Sequence, residues 1–316
     1  MNVYGFTSKK ELDIHDIEAR RNRSLKNFKI GTDGQRSRSN PSIDIEDLSE
    51  KGLLVCPDFL VELKDDLKQM GERLDVLVNR KMGLSRVRNA QCENPDNVRN
   101  GNFSYISSEQ LEDPQFKIKN YAAVVSIADP FLVFPDLVDI VLHKKFLDSA
   151  VNYFKAYPIL SYVKITKSFA NDLPDYDTQY WHFDFGAKNI FKVLVYLNDV
   201  NIRGGPFCYV LKSHSKRFRG WNLKSRFTDQ EVKKKFGEGN MYCCEGAVGD
   251  VIFAETTGLH KGLKPQDNDR SVIIFNFTLH PEVGFPWNKM KIPGRVITNL
   301  TPYQKLFLSE AVFDCV

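Results

Sequence analysis

Apolar side chains at positions 61, 63, 67, 70, 74 and 77 recur every three to four residues, a spacing that predicts a helix with one buried stripe. Just before it, GLLVCPDFL (52–60) predicts a short apolar strand ending at Pro57. Helical periodicity returns over 131–157 (FLVFPDLVDIVLHKKFLDSAVNYFKAY), enough for two helices. After Pro158 the texture changes. ILSYVKITKSF, FKVLVYLNDV, FCYVLKSH, GDVIFAE and RSVIIFNFTLH are short runs rich in β-branched and aromatic residues, each bounded by Gly, Pro, Asn or Asp. Strands at such intervals predict an antiparallel sandwich or barrel. The expected fold class is therefore α+β with a mainly β core. One domain spans 51–316, with N-terminal helices flanking it over 51–157 and a barrel core over 158–280. The stretch 85–120, rich in Asn, Gly and Ser, predicts an extended surface loop.

Composition refines this outline. A chain of 316 residues that is 42% hydrophobic can bury a sizeable core. No run approaches the roughly eighteen apolar residues that span a bilayer, and the N-terminus lacks the apolar segment of a secretory leader. A cytoplasmic location and no membrane partner are expected. The net charge of +4 is local: residues 18–39 carry seven Lys or Arg against two acids, and the rest of the chain is nearly neutral. Residues 1–50 are accordingly read as a peripheral basic arm, solvated rather than bound to nucleic acid. The six cysteines (56, 92, 208, 243, 244 and 315) form no CxxC and no regular ladder, so reduced, buried thiols are expected. Cys243 and Cys244 are adjacent, where a mutual disulfide would be strained.

Candidate chemistry centres on TQYWHFDFGAKN (178–189), where His182 and Asp184 sit two apart. In extended backbone both side chains leave the same face and can converge on one ion. Taken singly the signal is weak, because composition alone places one His-x-Asp in about half of chains like this. His280-Pro281-Glu282 has the same form but no histidine after it. His182, by contrast, is followed 78 residues on by His260, just past the run GDVIFAE, and ten residues later by Arg270 at the head of RSVIIFNFTL. Two histidines and one carboxylate with open positions opposite form the facial triad of non-haem iron oxygenases. If a 2-oxo acid chelates such an iron and supplies two electrons, its distal carboxylate needs a planar, permanently charged partner, and Arg270 suits that role.

At these residues the sequence resembles the phytanoyl-CoA dioxygenase-like family of Fe(II)/2-oxoglutarate-dependent oxygenases. The resemblance runs in order through GLLVCPDFLVELKDDL, QYWHFDF, FKVLVYLNDVNIRGGPFCYVLKSHSK and GAVGDVIFAETTGLHKGLKPQDNDRSVIIFNFT, touching most of residues 50–280. It implies a double-stranded β-helix, a jelly-roll, cupin-like barrel. Its mouth would hold Fe(II) on His182, Asp184 and His260, with 2-oxoglutarate anchored by Arg270. The implied reaction uses O2, turns 2-oxoglutarate into succinate and hydroxylates a C–H bond; related halogenases lack the carboxylate that Asp184 provides.

The chain departs from the pattern at Val272, where the family commonly places a small polar residue two after the arginine, so a second contact to the distal carboxylate is either missing or supplied from elsewhere. Lys192 and Gln179 are the candidates for further contacts to the co-substrate. His214 is read as a structural histidine of a turn, and Asp199, Gly204 and Gly205 as turn formers. Between Lys212 and Lys235 there are nine basic residues and two acidic ones, which points to a small, anionic substrate at the barrel mouth. Two other classes share these features: a nucleic-acid or protein demethylase or hydroxylase on the same barrel, and a non-catalytic barrel that serves as a binding module.

Overall fold

The computed structural model describes residues 43–82, 103–118, 122–215, 225–281 and 289–316. Helix α1 (Ile45–Lys51) begins at the Asp44 cap and ends at Gly52, whose φ of 78° stops the helix and turns the chain into strand β1 (Leu53–Cys56). The predicted amphipathic stretch becomes a short 3₁₀ turn and helix α2 (Lys64–Lys81), burying Leu67, Met70, Leu74 and Val78 at helical spacing. Strand β2 (Phe103–Ile106), helix α3 (Ser108–Glu112) and strand β3 (Val124–Ile127) follow. Three helices come next, α4 (Pro130–Val133), α5 (Leu137–Val141) and α6 (Lys144–Phe154). Strands β4 (Ile159–Ser168), β5 (Phe191–Tyr196), β6 (Phe207–Val210), β7 (Met241–Cys244), β8 (Val251–Glu255), β9 (His260–Gly262) and β10 (Arg270–Thr278) make the core. Helix α7 (Asp229–Phe236) leads into β7, and β11 (Met290–Ile292) pairs in parallel with β12 (Phe313–Cys315).

The core strands form a seven-stranded sheet in the order β1-β8-β5-β10-β4-β3-β2 and a three-stranded sheet in the order β7-β6-β9. All pairings within these two sheets are antiparallel except β2 with β3. Side-chain alternation along the strands gives the large sheet two apolar faces. Val193, Val195, Ile273 and Phe275 pack with Phe146, Leu147, Leu67 and Leu74 in the core shared with the helices. Leu194, Tyr196, Val272 and Ile252 point the other way and meet Phe207 and Tyr209 of the small sheet. The fold is thus α+β with a mainly β core, and a cleft lies between a broad sheet backed by helices and a narrow one.

Three expectations change. Within 85–120, residues 103–106 and 108–112 form a strand and a helix rather than loop, and residues 83–102 lie outside the described residues. The helical stretch 131–157 breaks into three helices, interrupted at Pro135 and at the turn over Leu142 and His143. The expectation of reduced thiols fails for one pair: Cys208 and Cys243 face each other across the β6/β7 pairing with Cα atoms 4.0 Å apart and form a disulfide. Cys56, Cys244 and Cys315 are free. The basic arm at 18–39 lies outside the described residues.

Candidate metal centre

His182 and His260 meet through an isolated antiparallel bridge in which each N–H donates to the other's carbonyl at 2.9 Å. Both are buried and their rings lie 4.3 Å apart. Asp184, two residues on from His182, comes to the same point; its backbone N–H is held by Thr256 O at 2.9 Å. Asp184 Oδ1 is 3.9 Å from His182 Nε2, and Asp184 Oδ2 is 3.6 Å from His260 Nε2. One ligand atom from each of the three lies within 4.8 Å of the others. Bonds of about 2.1 Å to a shared ion place such atoms about 3 to 3.5 Å apart, so a small contraction seats a divalent metal.

The tautomers favour this. His182 Nδ1 lies 3.0 Å from Tyr180 O and His260 Nδ1 lies 3.0 Å from Gly258 O, the same two-residue step back in both cases. A carbonyl can only accept, so each ring carries its proton on Nδ1 and turns the Nε2 lone pair to Asp184. Burial lowers His182 to about 4 and also pushes His260 well down, against the opposing pull of Asp184, which keeps both rings neutral at pH 7. Burial alone would raise the Asp184 carboxyl, but the Lys192 ammonium and the two imidazoles override it and hold the carboxyl below its ordinary range. Two neutral imidazoles and one ionised carboxylate form a donor set suited to Fe(II), Co(II), Ni(II) or Zn(II).

Arg270 sits at the head of β10, directly opposite Ser168 of β4. Its Nη2 donates to Ser168 Oγ at 3.3 Å, and the guanidinium lies across Gly262, where a Cβ would come within 3.1 Å of Nη2. Arg270 Nε is buried with no hydrogen-bond partner among the described residues. An unmatched donor of this kind is costly unless a ligand accepts from it. Arg270, Ser168, Lys192, Lys164 and both histidines line one cavity between the sheets. Lys192 on β5, read from the sequence as a candidate contact to the co-substrate, lines the cavity and donates to Asp184 Oδ2. Gln179 lines the cavity as well, but its side-chain oxygen accepts the Tyr176 N–H at 3.1 Å.

Sequence reading missed two residues. Lys164 on β4 faces the cavity, and its amine is lowered to about 8, first by burial and then by the Lys192 charge. A basic residue alternating with apolar ones in ILSYVKITKSF was the available signal. Glu255, 1% exposed, accepts from Ile190 N at 3.0 Å, Thr257 Oγ1 at 2.9 Å, Asn189 Nδ2 at 3.3 Å and Tyr153 Oη. It ties together the chain leaving Asp184 and the chain approaching His260, and no local signal marks it. His214 is structural as expected, its Nε2 bonded to Ser49 O at 3.0 Å and its ring packed on Gly52. His280 lies on the rim of a separate cavity, away from the triad, and Glu282 is outside the described residues.

No family model matches the chain, and no curated protein matches it. Among solved structures, the epimerase SnoN in complex with Fe3+, alpha ketoglutarate and nogalamycin RO aligns with a TM-score of 0.50 at 15% identity, covering 74% of this chain and 81% of that one. EctD from S. alaskensis with 2-oxoglutarate and 5-hydroxyectoine gives 0.49 at 12% identity over 77% and 79%. HygX from Streptomyces hygroscopicus with nickel and 2-oxoglutarate gives 0.48 at 14% identity over 79% and 91%. The likeness to SnoN is one of fold. The other two lie below that level and add nothing to it.

Proposed function

We propose that this chain is an Fe(II)- and 2-oxoglutarate-dependent oxygenase of the double-stranded β-helix type, resembling the phytanoyl-CoA dioxygenase-like family. It uses O2 to hydroxylate a C–H bond of a small anionic metabolite or glycoconjugate, while 2-oxoglutarate loses CO2 and becomes succinate. One observation carries the reading: two neutral imidazoles and a buried guanidinium with an unmatched Nε line the same cavity, and the Asp184 carboxylate lies within ligand-atom reach of both imidazoles. An iron held there would supply oxygen activation. His182, His260 and Asp184 are the residues that hold it. Lys192 engages Asp184 Oδ2 and leaves Oδ1, nearer His182, for the metal. Arg270 takes the distal carboxylate of 2-oxoglutarate. Ser168, which already accepts from Arg270 Nη2, replaces the hydroxyl that Val272 lacks. Lys164 on β4 lines the same cavity beside Lys192 and Arg270, and this cluster of basic side chains supports an anionic substrate.

The test is anaerobic addition of Fe(II) and 2-oxoglutarate to metal-free protein, followed by the visible metal-to-ligand charge-transfer band. Wild type should develop the band and His260→Ala should not; identical spectra would sink the assignment. A second reading has one observation in its favour. The Lys192 to Asp184 ion pair could be a permanent structural pair in a barrel that binds no metal and serves as a binding module. Failure of wild type to take up Fe(II), Co(II) or Ni(II) selects that reading. Charge reversal at Arg217, Arg219 and Lys224 tests substrate attraction through KM; those positions lie outside the described residues.

A further inference from the structure

Resting on the metal-centre reading, we infer that Asp229 is a positioning residue that braces both metal-bearing strands from behind. His182 and His260 turn inward from a bridge made by just two backbone hydrogen bonds, so their neighbours Trp181 and Lys261 turn outward. Trp181 is 1% exposed and Lys261 5%, and the Lys261 ammonium lies 5.1 Å from the centroid of the Trp181 ring. Both converge on one oxygen: Trp181 Nε1 and Lys261 Nζ each donate to Asp229 Oδ1 at 2.5 Å. One carboxylate therefore links the residue before one histidine ligand to the residue after the other.

The carboxylate is itself fixed in place. Two residues earlier, Phe227 exchanges backbone hydrogen bonds with Trp181 at 3.0 and 2.9 Å. Asp229 then opens α7, whose start is held by a reciprocal cap: Thr228 N donates to Glu231 at 2.8 Å and Glu231 N donates to Thr228 Oγ1 at 3.3 Å. A helix start also favours a negative side chain. The segment 227–229 thus runs alongside the 181–182 strand by backbone pairing and reaches over to the 260–261 strand by a side chain. A two-bond bridge leaves the spacing of the ring pair weakly determined, and the Asp229 contacts fix it from the outer face. Groups hydrogen-bonded directly to metal ligands are worth about 10- to 100-fold in metal affinity; Asp229 acts one contact further out, through Trp181 and Lys261, so the low end of that range is its expected effect.

The test is a Co(II) titration of the full-length, metal-free protein, read by ligand-field absorption and accompanied by urea unfolding of the apo form. Asp229→Ala should weaken the Co(II) Kd by about tenfold and alter the band envelope. Asp229→Asn, whose amide oxygen can still accept from Trp181 and Lys261, should stay within about threefold of wild type. Should Asp229→Ala fail to fold, Lys261→Met, which keeps the aliphatic stem and drops the charge, is expected to weaken Co(II) binding in the same direction. An Asp229→Ala or Lys261→Met protein with the wild-type Kd and spectrum, whatever its urea midpoint, would overturn the brace. Wild type that binds no Co(II) would overturn the metal-centre reading, and the brace with it.

Discussion

Arg270 and Lys192 carry the same charge, yet the structure gives them opposite relations to the metal centre. Arg270 has a buried donor awaiting an acceptor, so Arg270→Lys should weaken 2-oxoglutarate about 10- to 100-fold, by loss of the bidentate fork, with metal binding alone unchanged. A 2-oxoglutarate titration of the charge-transfer band at fixed Fe(II) measures this; an unchanged midpoint counts against the assignment. Lys192 competes with a cation for Asp184, so Lys192→Met should tighten metal binding in the absence of 2-oxoglutarate by roughly three- to tenfold. Weaker binding in that variant would mean that the ammonium orients the carboxylate more than it opposes the ion. At this scale the sequence was informative. His182, Asp184, His260 and Arg270 stand in order at intervals that strands can bring together; the structure brings the first three within 4.8 Å of one another by their ligand atoms and lines one cavity with both histidines and Arg270. Asp229 and Glu255 were not legible, because each acts through contacts with segments far away in sequence.

Between His260 and the chain before it, close packing of elements replaces ligand chemistry. Tyr209 of β6 lies opposite His260, and its hydroxyl donates to Glu255 O at 2.8 Å in a slot between Gly52 and Gly258. A Cβ on Gly258 would stand 2.1 Å from that hydroxyl and 2.8 Å from Ser213 Oγ. Gly258→Ala should therefore destabilise the protein by about 1–3 kcal/mol, and Tyr209→Phe in the same chain should recover part of the loss. Urea midpoints of the two single variants and the double variant decide it; strictly additive losses would mean that the two positions do not share the slot. The long strands β4, β5, β8 and β10 were legible from their β-branched, aromatic runs. Strands β7 and β9, of four and three residues, are too short for periodicity to speak. Helix α3 was missed although its Ser107 to Gln110 reciprocal cap was written in the sequence.

For the molecule as a whole, burying two neutral imidazoles couples folding to pH. The unfolded rings take up protons near 6.5, whereas in the native metal-free protein His182 resists protonation until about pH 4 and His260 is lowered too. Between those limits the unfolded state holds more protons, so stability rises with pH and is lost as pH falls. The Asp184 contribution, from a depressed carboxyl, persists through this window and fades only below pH 4. Going from pH 7 to pH 5 should remove on the order of 2 kcal/mol through His182. A urea midpoint independent of pH over that range would show that the rings are not buried in neutral form. The division of labour between the two sheets extends further. Arg270 belongs to a strand paired with β4 along its length and with β5 over Val272–Phe277, whereas His260 belongs to a three-residue strand of the narrow sheet, joined to His182 by one bridge. Amide exchange should accordingly be slow across β4, β5 and β10 and faster across β6, β7 and β9. An ion shared by His182, Asp184 and His260 would slow the second group selectively, acting as a removable cross-link for the narrow sheet.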